Sequence, residues 1–151
     1  MVKMPKVILV NGPSFYLDRV HKFDIYGSTC VKKIEKRVSS VFSKRGISYK
    51  SIQSNSEDEL VSWLKKERDA DFLLLNPGSL AKKSKELRNV VLELKVPFLE
   101  IHLTNFYFSE DSVYYSRFSD ISVGTILGLG LKGFLLASKF AVDFLEQEKN
   151  S

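Results

Sequence analysis

The chain has 151 residues, of which 44% are hydrophobic and 27% charged, proportions typical of a globular protein and unlike those of a disordered one. Its net charge is +5, but the basic residues alternate with glutamates along helix-like segments. This pattern is typical of solvated helix faces and does not predict binding to nucleic acid. The longest apolar stretch, 121–137, contains four glycines and a lysine, so it does not predict a membrane span.

Strong local signals predict the first elements. β-Branched residues predict a strand over Lys6–Asn11, ended by an Asn-Gly-Pro turn. After a polar and aromatic loop, apolar residues at three- and four-residue spacing predict a helix that Gly46 ends, with Ser28 and Thr29 as candidate caps. A second strand is predicted over Ile47–Gln53.

The rest of the chain continues this alternation. Ser56 followed by Glu59 is a capping-box pattern, which predicts the start of a second helix. The uniformly apolar segment 71–76 predicts a central parallel strand. Further strands are predicted over 96–102 and 121–127, with a helix before the first and another after the second.

Five strands that alternate with helices along most of the chain predict an α/β fold, a doubly wound five-stranded parallel sheet with helices on both faces. In such folds, ligands bind beyond the carboxyl ends of the strands. This rule selects three polar segments as the candidate site, 11–26, 76–83 and 100–105.

Glu100 and His102 are the clearest candidates for chemistry. They are two residues apart on a predicted strand, so their side chains point to the same face, where a carboxylate can support an imidazole as general acid or base. A structural histidine is the alternative. Tyr26 and Asn76 lie in the other two segments, where a packing tyrosine and a turn asparagine are equally compatible with the pattern.

Other kinds of site lack their signatures. The glycines form no dinucleotide-binding fingerprint, and there is no phosphate loop or serine nucleophile elbow. Two histidines and one cysteine give no metal-ligand spacing, so no metal site is expected. Cys30 cannot form an intramolecular disulfide, and Met1–Pro5 does not resemble a signal peptide, which predicts a cytoplasmic protein.

Seven short motifs, in order along the chain, resemble the type II 3-dehydroquinate dehydratase family. They are Asn11-Gly12-Pro13; Ile25-Tyr26-Gly27; Gln53-Ser54-Asn55 with Glu57, Glu59, Leu60 and Trp63; Asn76-Pro77-Gly78; Ser84 with Leu87-Arg88; Val96-Pro97 with Glu100, His102 and Asn105; and Gly128–Leu136. Each motif is weak alone, but their common order covers almost the whole chain.

The resemblance implies one flavodoxin-like domain over 1–151, a homododecamer built from trimers, and a cofactor-free lyase of the shikimate and quinate pathways. Its small anionic substrate would lose water through an enolate. Tyr26 would act as the base, and Glu100 with His102 would protonate the leaving hydroxyl group. The implied substrate-binding positions are Asn76, Leu103, Thr104, Lys82, Ser14 and His21.

Several positions differ from the residues usual in the family, and five of them are family site positions. Ser14 replaces an asparagine, and His21 and Val113 replace arginines. Lys82 replaces a histidine, and Asn89 replaces an aspartate. These differences leave three hypotheses: an active dehydratase, a homologue that binds a more aromatic or apolar acid, and a non-catalytic oligomeric relative. A flavin-binding electron carrier is suggested by fold analogy alone and ranks last.

Overall fold

A computed structural model describes residues 3–13, 28–105 and 116–150, with the side chains of 28–31 excepted. The strands are β1 Lys6–Asn11, β2 Ser48–Gln53, β3 Phe72–Asn76, β4 Phe98–His102 and β5 Gly124–Leu127. The α-helices are α1 Ser28–Ser43, α2 Glu57–Lys66, α3 Lys85–Leu94 and α4 Lys132–Lys149, and a short 3₁₀ helix covers Gly78–Ala81. The strands pair in parallel in the order β2-β1-β3-β4-β5.

Helices cover both faces of this sheet, which confirms the predicted fold class. Alternate residues of β1, β3 and β4 face α1 and α4 on one side, where Phe42 and Phe134 are buried. On the other face, the sheet packs on α2 and α3 around Leu60 and Leu87. Strands buried on both faces explain the nearly continuous apolar runs in the sequence. Within the described ranges, no helix is both long and apolar enough to cross a bilayer.

Several element boundaries differ from the sequence-based expectations, and β2, β3 and β4 each begin one or two residues later than predicted. Helix α1 begins at Ser28, so neither Ser28 nor Thr29 precedes it as the predicted cap. Strand β5 begins at Gly124 rather than 121, because the preceding residues form turns, one of them closed by a hydrogen bond from the Ile121 amide to the Phe118 carbonyl (3.2 Å). The bend places the serines of this segment beside β4.

The predicted cap of α2 is confirmed in part. The Ser56 hydroxyl accepts a hydrogen bond from the Glu59 amide at 3.2 Å, as a capping box requires. The Glu59 carboxylate, however, accepts from the Ser54 hydroxyl (2.7 Å). Ser54 Oγ in turn accepts from the Ser56 amide (3.0 Å). Ser54 therefore links the Ser56 amide to the Glu59 carboxylate, which in a capping box would accept from that amide directly.

A partly buried ion cluster lies at the amino-terminal edge of the sheet. Lys6, the first residue of β1, contacts Glu67 and lies 2.8 Å from Asp69, and Lys50 is 3.4 Å from Glu67. Burial opposes ionisation of Glu67, but the two lysines outweigh it and lower the pKa of this carboxyl. These charges compensate one another at the edge opposite the predicted site, and we assign them a structural role.

Candidate active site

The carboxyl ends of β1, β3 and β4 bring several of the predicted polar residues to one edge of the sheet. Asn11 at the end of β1 is in register with Asn76 at the end of β3. Glu100 on β4 is in register with Leu75, the residue before Asn76, and His102 ends β4. The parallel topology therefore gathers residues that are up to 91 positions apart in the sequence.

Asn76 is held in a fixed orientation by its neighbours. Its side-chain amide donates to Asn11 Oδ1 (3.1 Å), and its Oδ1 accepts from the Gly78 amide (3.3 Å). Both asparagines are only 4% exposed. The sequence places Asn11 in a candidate polar segment but does not predict its pairing with Asn76, because nothing in the local pattern shows which strands are neighbours.

The loops after β1 and β3 pack backbone against backbone at two glycines. A Cβ atom on Gly12 would lie 2.3 Å from the Pro77 carbonyl oxygen, and one on Gly78 would lie 2.2 Å from the Pro13 carbonyl oxygen. Both distances are far below a van der Waals contact. The Gly12 amide also donates to the Asn76 carbonyl (2.7 Å). The two glycines thus allow the close approach that positions Asn76.

Glu100 and His102 form the predicted pair. His102 Nε2 lies 3.0 Å from Glu100 Oε1, and the two residues are 6% and 0% exposed. Strand alternation places them on the α2/α3 side of the sheet, whereas Asn11 and Asn76 share the alternation of residues that face α1 and α4. The two pairs therefore approach the carboxyl edge from opposite faces.

Two serines complete the surroundings of the Glu100 carboxylate. Ser116 Oγ donates to Oε2 and Ser119 Oγ donates to Oε1, each at 2.6 Å. Burial alone would raise the pKa of Glu100, but His102 and the two hydroxyls outweigh it and lower the pKa. Glu100 is therefore ionised at neutral pH. Neither serine is predicted from the sequence, since serines in a turn carry no signal for a partner on another element.

The turn after β4 is fixed by the segment that follows β5. The carbonyls of His102 and Leu103 accept hydrogen bonds from the amides of Gly128 (3.1 Å) and Gly130 (2.9 Å). Gly128 has φ +84°, and a Cβ there would be 3.0 Å from Asn105 Cβ. Leu103 is buried and Thr104 is exposed, so the threonine side chain of this turn faces solvent.

Two of the other predicted site residues are exposed at the surface. Lys82 is exposed after the 3₁₀ helix, where its carbonyl accepts from Arg117 Nε (2.9 Å). Asn89 is exposed on α3. The predicted base Tyr26 lies outside the described residues, as do Ser14, His21 and Val113. Their roles stay predictions. In the ranges that the structure covers, no group of three or more histidine, cysteine or acidic side chains is arranged to hold a metal ion.

The strand order and the helices on both faces define a flavodoxin-like α/β protein, and its Glu100–His102 pair at the carboxyl edge is an arrangement that can support proton transfer. The sequence profile of the family described as Dehydroquinase class II matches residues 5–142. The chain therefore belongs to the type II dehydroquinase family.

Full-length relatives agree with this assignment. A 3-dehydroquinate dehydratase of Mannheimia succiniciproducens is 34% identical over 149 residues, covering 98% of this chain and 99% of the relative. The crystal structure of a type II dehydroquinase from Propionibacterium acnes is 25% identical, with a TM-score of 0.78 over 93% of this chain and 98% of that one. A type II dehydroquinase from Butyrivibrio crossotus, at 23% identity, covers 95% of this chain and 98% of its own with a TM-score of 0.79, which supports the fold.

Proposed function

We propose that this protein is a hydro-lyase that removes water from 3-dehydroquinate to give 3-dehydroshikimate. The observation that carries the proposal is the buried Glu100–His102 pair at the carboxyl end of β4, in a chain that matches named 3-dehydroquinate dehydratases along nearly its whole length. An ionised carboxylate next to an imidazole is the arrangement that supports proton donation to a leaving hydroxyl group.

The proposed reaction is an anti elimination in two steps. Tyr26, as phenolate, takes a proton from the carbon next to the substrate ketone, and the electron pair moves onto the ketone oxygen to form an enolate. The enolate then re-forms the ketone, the new C=C bond expels the hydroxyl group, and His102 gives that oxygen its proton, so that water leaves. Glu100 stays ionised and stabilises the imidazolium. The chemistry requires no cofactor.

Substrate binding is assigned to residues around this pair. Asn76 has its amide oriented by Asn11, and Leu103 and Thr104 lie in the turn directly after His102. We assign the substrate carboxylate to the backbone amides and hydroxyl group of that turn. Lys82, Ser14 and His21 occupy further family binding positions, and the net charge of +5 is compatible with a small anionic substrate.

Replacement of Tyr26 by phenylalanine tests the proposal directly. Purified protein is mixed with 3-dehydroquinate, and the conjugated product is followed by its ultraviolet absorbance. Because Tyr26→Phe removes the base, we expect kcat to fall by about 100- to 10,000-fold. Absence of turnover at high protein concentration, both in the wild-type chain and in a variant that combines His21→Arg with Val113→Arg, would refute the proposed activity.

Tyr49→Phe is the matched control. Tyr49 lies on β2 and stacks on Phe42 with ring centroids 5.2 Å apart, and burial raises its pKa to about 12. A phenol held protonated in this way cannot serve as a base near neutral pH. We therefore expect Tyr49→Phe to keep wild-type kcat, which separates loss of the base from loss of any phenol group.

A second candidate function follows from the altered family positions. Ser14, His21 and Val113 replace residues that would hold a polar hydroxylated substrate, so the pocket could bind a more aromatic or apolar acid. Thermal stabilisation by an aromatic acid, without stabilisation by 3-dehydroquinate, would favour this candidate. Stabilisation by neither ligand, together with no turnover, would favour a non-catalytic oligomeric relative.

We also propose that the chain, as a single domain over 1–151, assembles into a homododecamer of trimers. Three exposed apolar side chains lie before and along α4, namely Leu129 (47% exposed), Leu136 (47%) and Phe140 (41%), and we propose that they form one surface that binds another chain. Light scattering should give twelve times the 17.2 kDa chain mass.

Leu136→Asp combined with Phe140→Asp should lower that mass. Gln147→Asp, on the same helix, is the control, and an unchanged mass in the double variant would exclude this surface as an interface.

The biological setting is proposed on the same grounds. A dehydratase of this kind acts in the shikimate pathway of aromatic amino acid biosynthesis or in quinate metabolism. The single cysteine fits a reducing compartment, and we propose that the protein works in the cytoplasm.

A further inference from the structure

The Glu100 carboxylate has an unusually complete set of partners for a fully buried acid. His102 Nε2 and Ser119 Oγ are within 3.0 and 2.6 Å of Oε1, and Ser116 Oγ is 2.6 Å from Oε2. The residue is 0% exposed. A buried carboxylate keeps its charge only when such partners replace water, so both hydroxyls contribute to its ionised state.

The direction of the Ser116 hydroxyl is fixed by its second contact. Ser116 Oγ accepts a hydrogen bond from the Phe118 amide (3.2 Å), which leaves its own hydrogen for Glu100. Phe118 is completely buried in the core on the α2/α3 side of the sheet. The aromatic ring therefore anchors the backbone that orients the serine.

Segment 116–122, here called the serine segment, also forms hydrogen bonds with two neighbouring elements. The Arg117 amide donates to the Ala81 carbonyl (2.8 Å), and Arg117 Nε donates to the Lys82 carbonyl (2.9 Å). Arg88 on α3 holds Asp120 with two hydrogen bonds of 2.6 and 3.0 Å. The serine segment is thus a fixed support rather than a loop that meets Glu100 by chance.

We propose that Ser116 and Ser119 are positioning residues, which hold Glu100 as an oriented carboxylate against His102 for proton donation to the leaving hydroxyl group. This inference rests on the proposed dehydratase function. In the part of the chain that the structure describes, His102 is the titratable side chain in contact with Glu100, while the charged groups of the serine segment, Arg117 and Asp120, are engaged elsewhere.

The sign of the expected pH effect follows from the hydrogen bonds. Both hydroxyls donate to the charged form of Glu100, so each lowers its pKa against the opposing effect of burial. Without them, the pKa rises and the carboxylate becomes protonated at a higher pH. The Glu100–His102 ion pair is then lost earlier as the pH falls. The acid limb of the kcat profile should therefore move to higher pH.

The test compares Ser116→Ala, Ser119→Ala and the double variant with wild type. For the double variant we expect the acid limb of kcat to move up by about one pH unit or more, with KM changed by less than about twofold. Ser119→Thr, which keeps the hydroxyl, should restore the wild-type limb. Ser122→Ala is the matched control, because Ser122 belongs to the same segment but donates to the Ser119 carbonyl (3.1 Å).

A second readout does not depend on activity. With ¹³C-labelled glutamate, the Glu100 carboxyl resonance is identified by its loss in Glu100→Gln, and its titration midpoint should move up in each alanine variant that folds. An unmoved midpoint together with an unmoved acid limb would overturn the inference, even if the melting temperature falls. If wild type does not convert 3-dehydroquinate but the midpoint moves, the serines hold Glu100 ionised and the proposed function is what has failed.

Discussion

Replacing His102 with asparagine is expected to reduce kcat for 3-dehydroquinate by about 100- to 10,000-fold, the usual contribution of a general acid. His102 ends β4 in contact with Glu100 and is 6% exposed. In the proposed reaction, its proton leaves with the hydroxyl group. Without it the leaving group departs as hydroxide or takes its proton from water, and both routes have higher barriers.

Three comparisons make this prediction specific. Imidazole added to His102→Asn should restore part of the lost kcat, since a small external acid can replace the missing ring. Glu100→Gln keeps the size of the side chain and leaves His102 in place, so its loss should be smaller. Urea unfolding checks that the buried substitution has not unfolded the protein. A folded His102→Asn variant that keeps more than a tenth of wild-type kcat would exclude His102 as the acid.

More of the fold than of the site could be predicted from the sequence. The apolar run of β3 and the β-branched run of β1 are strong local signals, because parallel strands buried on both faces tolerate little else. The predicted β5 begins three residues too early, because 121–123 is as apolar as the end of a strand. The turn that these residues form depends on contacts with Phe118. Boundaries depend on such tertiary contacts more than element types do.

In the site, too, the features that depend on local sequence could be predicted, and those that depend on tertiary contacts could not. Spacing alone predicted that Glu100 and His102 share a face, because alternation along a strand is a local property. The partnership of Glu100 with Ser116 and Ser119 could not be predicted in this way, since it depends on the path of a turn that returns to β4. The pairing of Asn11 with Asn76 depends on which strands are neighbours, and the sequence does not encode strand order locally.

The tight packing between the loops after β1 and β3 leads to a stability prediction. Gly78 has φ +58°, and a Cβ there would overlap the Pro13 carbonyl at 2.2 Å. Gly78→Ala therefore combines backbone strain with a steric clash, and we expect it to lower the free energy of unfolding by about 2–5 kcal/mol. The change is measured by urea unfolding with linear extrapolation.

Two other glycines separate the two causes. Gly46 has φ +66° and nothing within 4 Å of a built Cβ, so Gly46→Ala carries the backbone strain alone, at about 1–2 kcal/mol. Gly12→Ala carries the clash with the Pro77 carbonyl alone. If the two causes act independently, the loss in Gly78→Ala should be near the combined losses of the other two variants. A Gly78→Ala loss no larger than that of Gly46→Ala would mean that the loops separate easily.

The same glycines connect stability with catalysis. Gly12 donates its amide to the Asn76 carbonyl, so loops forced apart by a methyl group also displace the side chain assigned to substrate binding. We expect Gly12→Ala to raise KM under conditions where the protein is folded, while Gly46→Ala, in the turn between α1 and β2, leaves KM unchanged. Equal KM values in the two variants would separate the loop packing from substrate binding and give Gly12 a purely structural role.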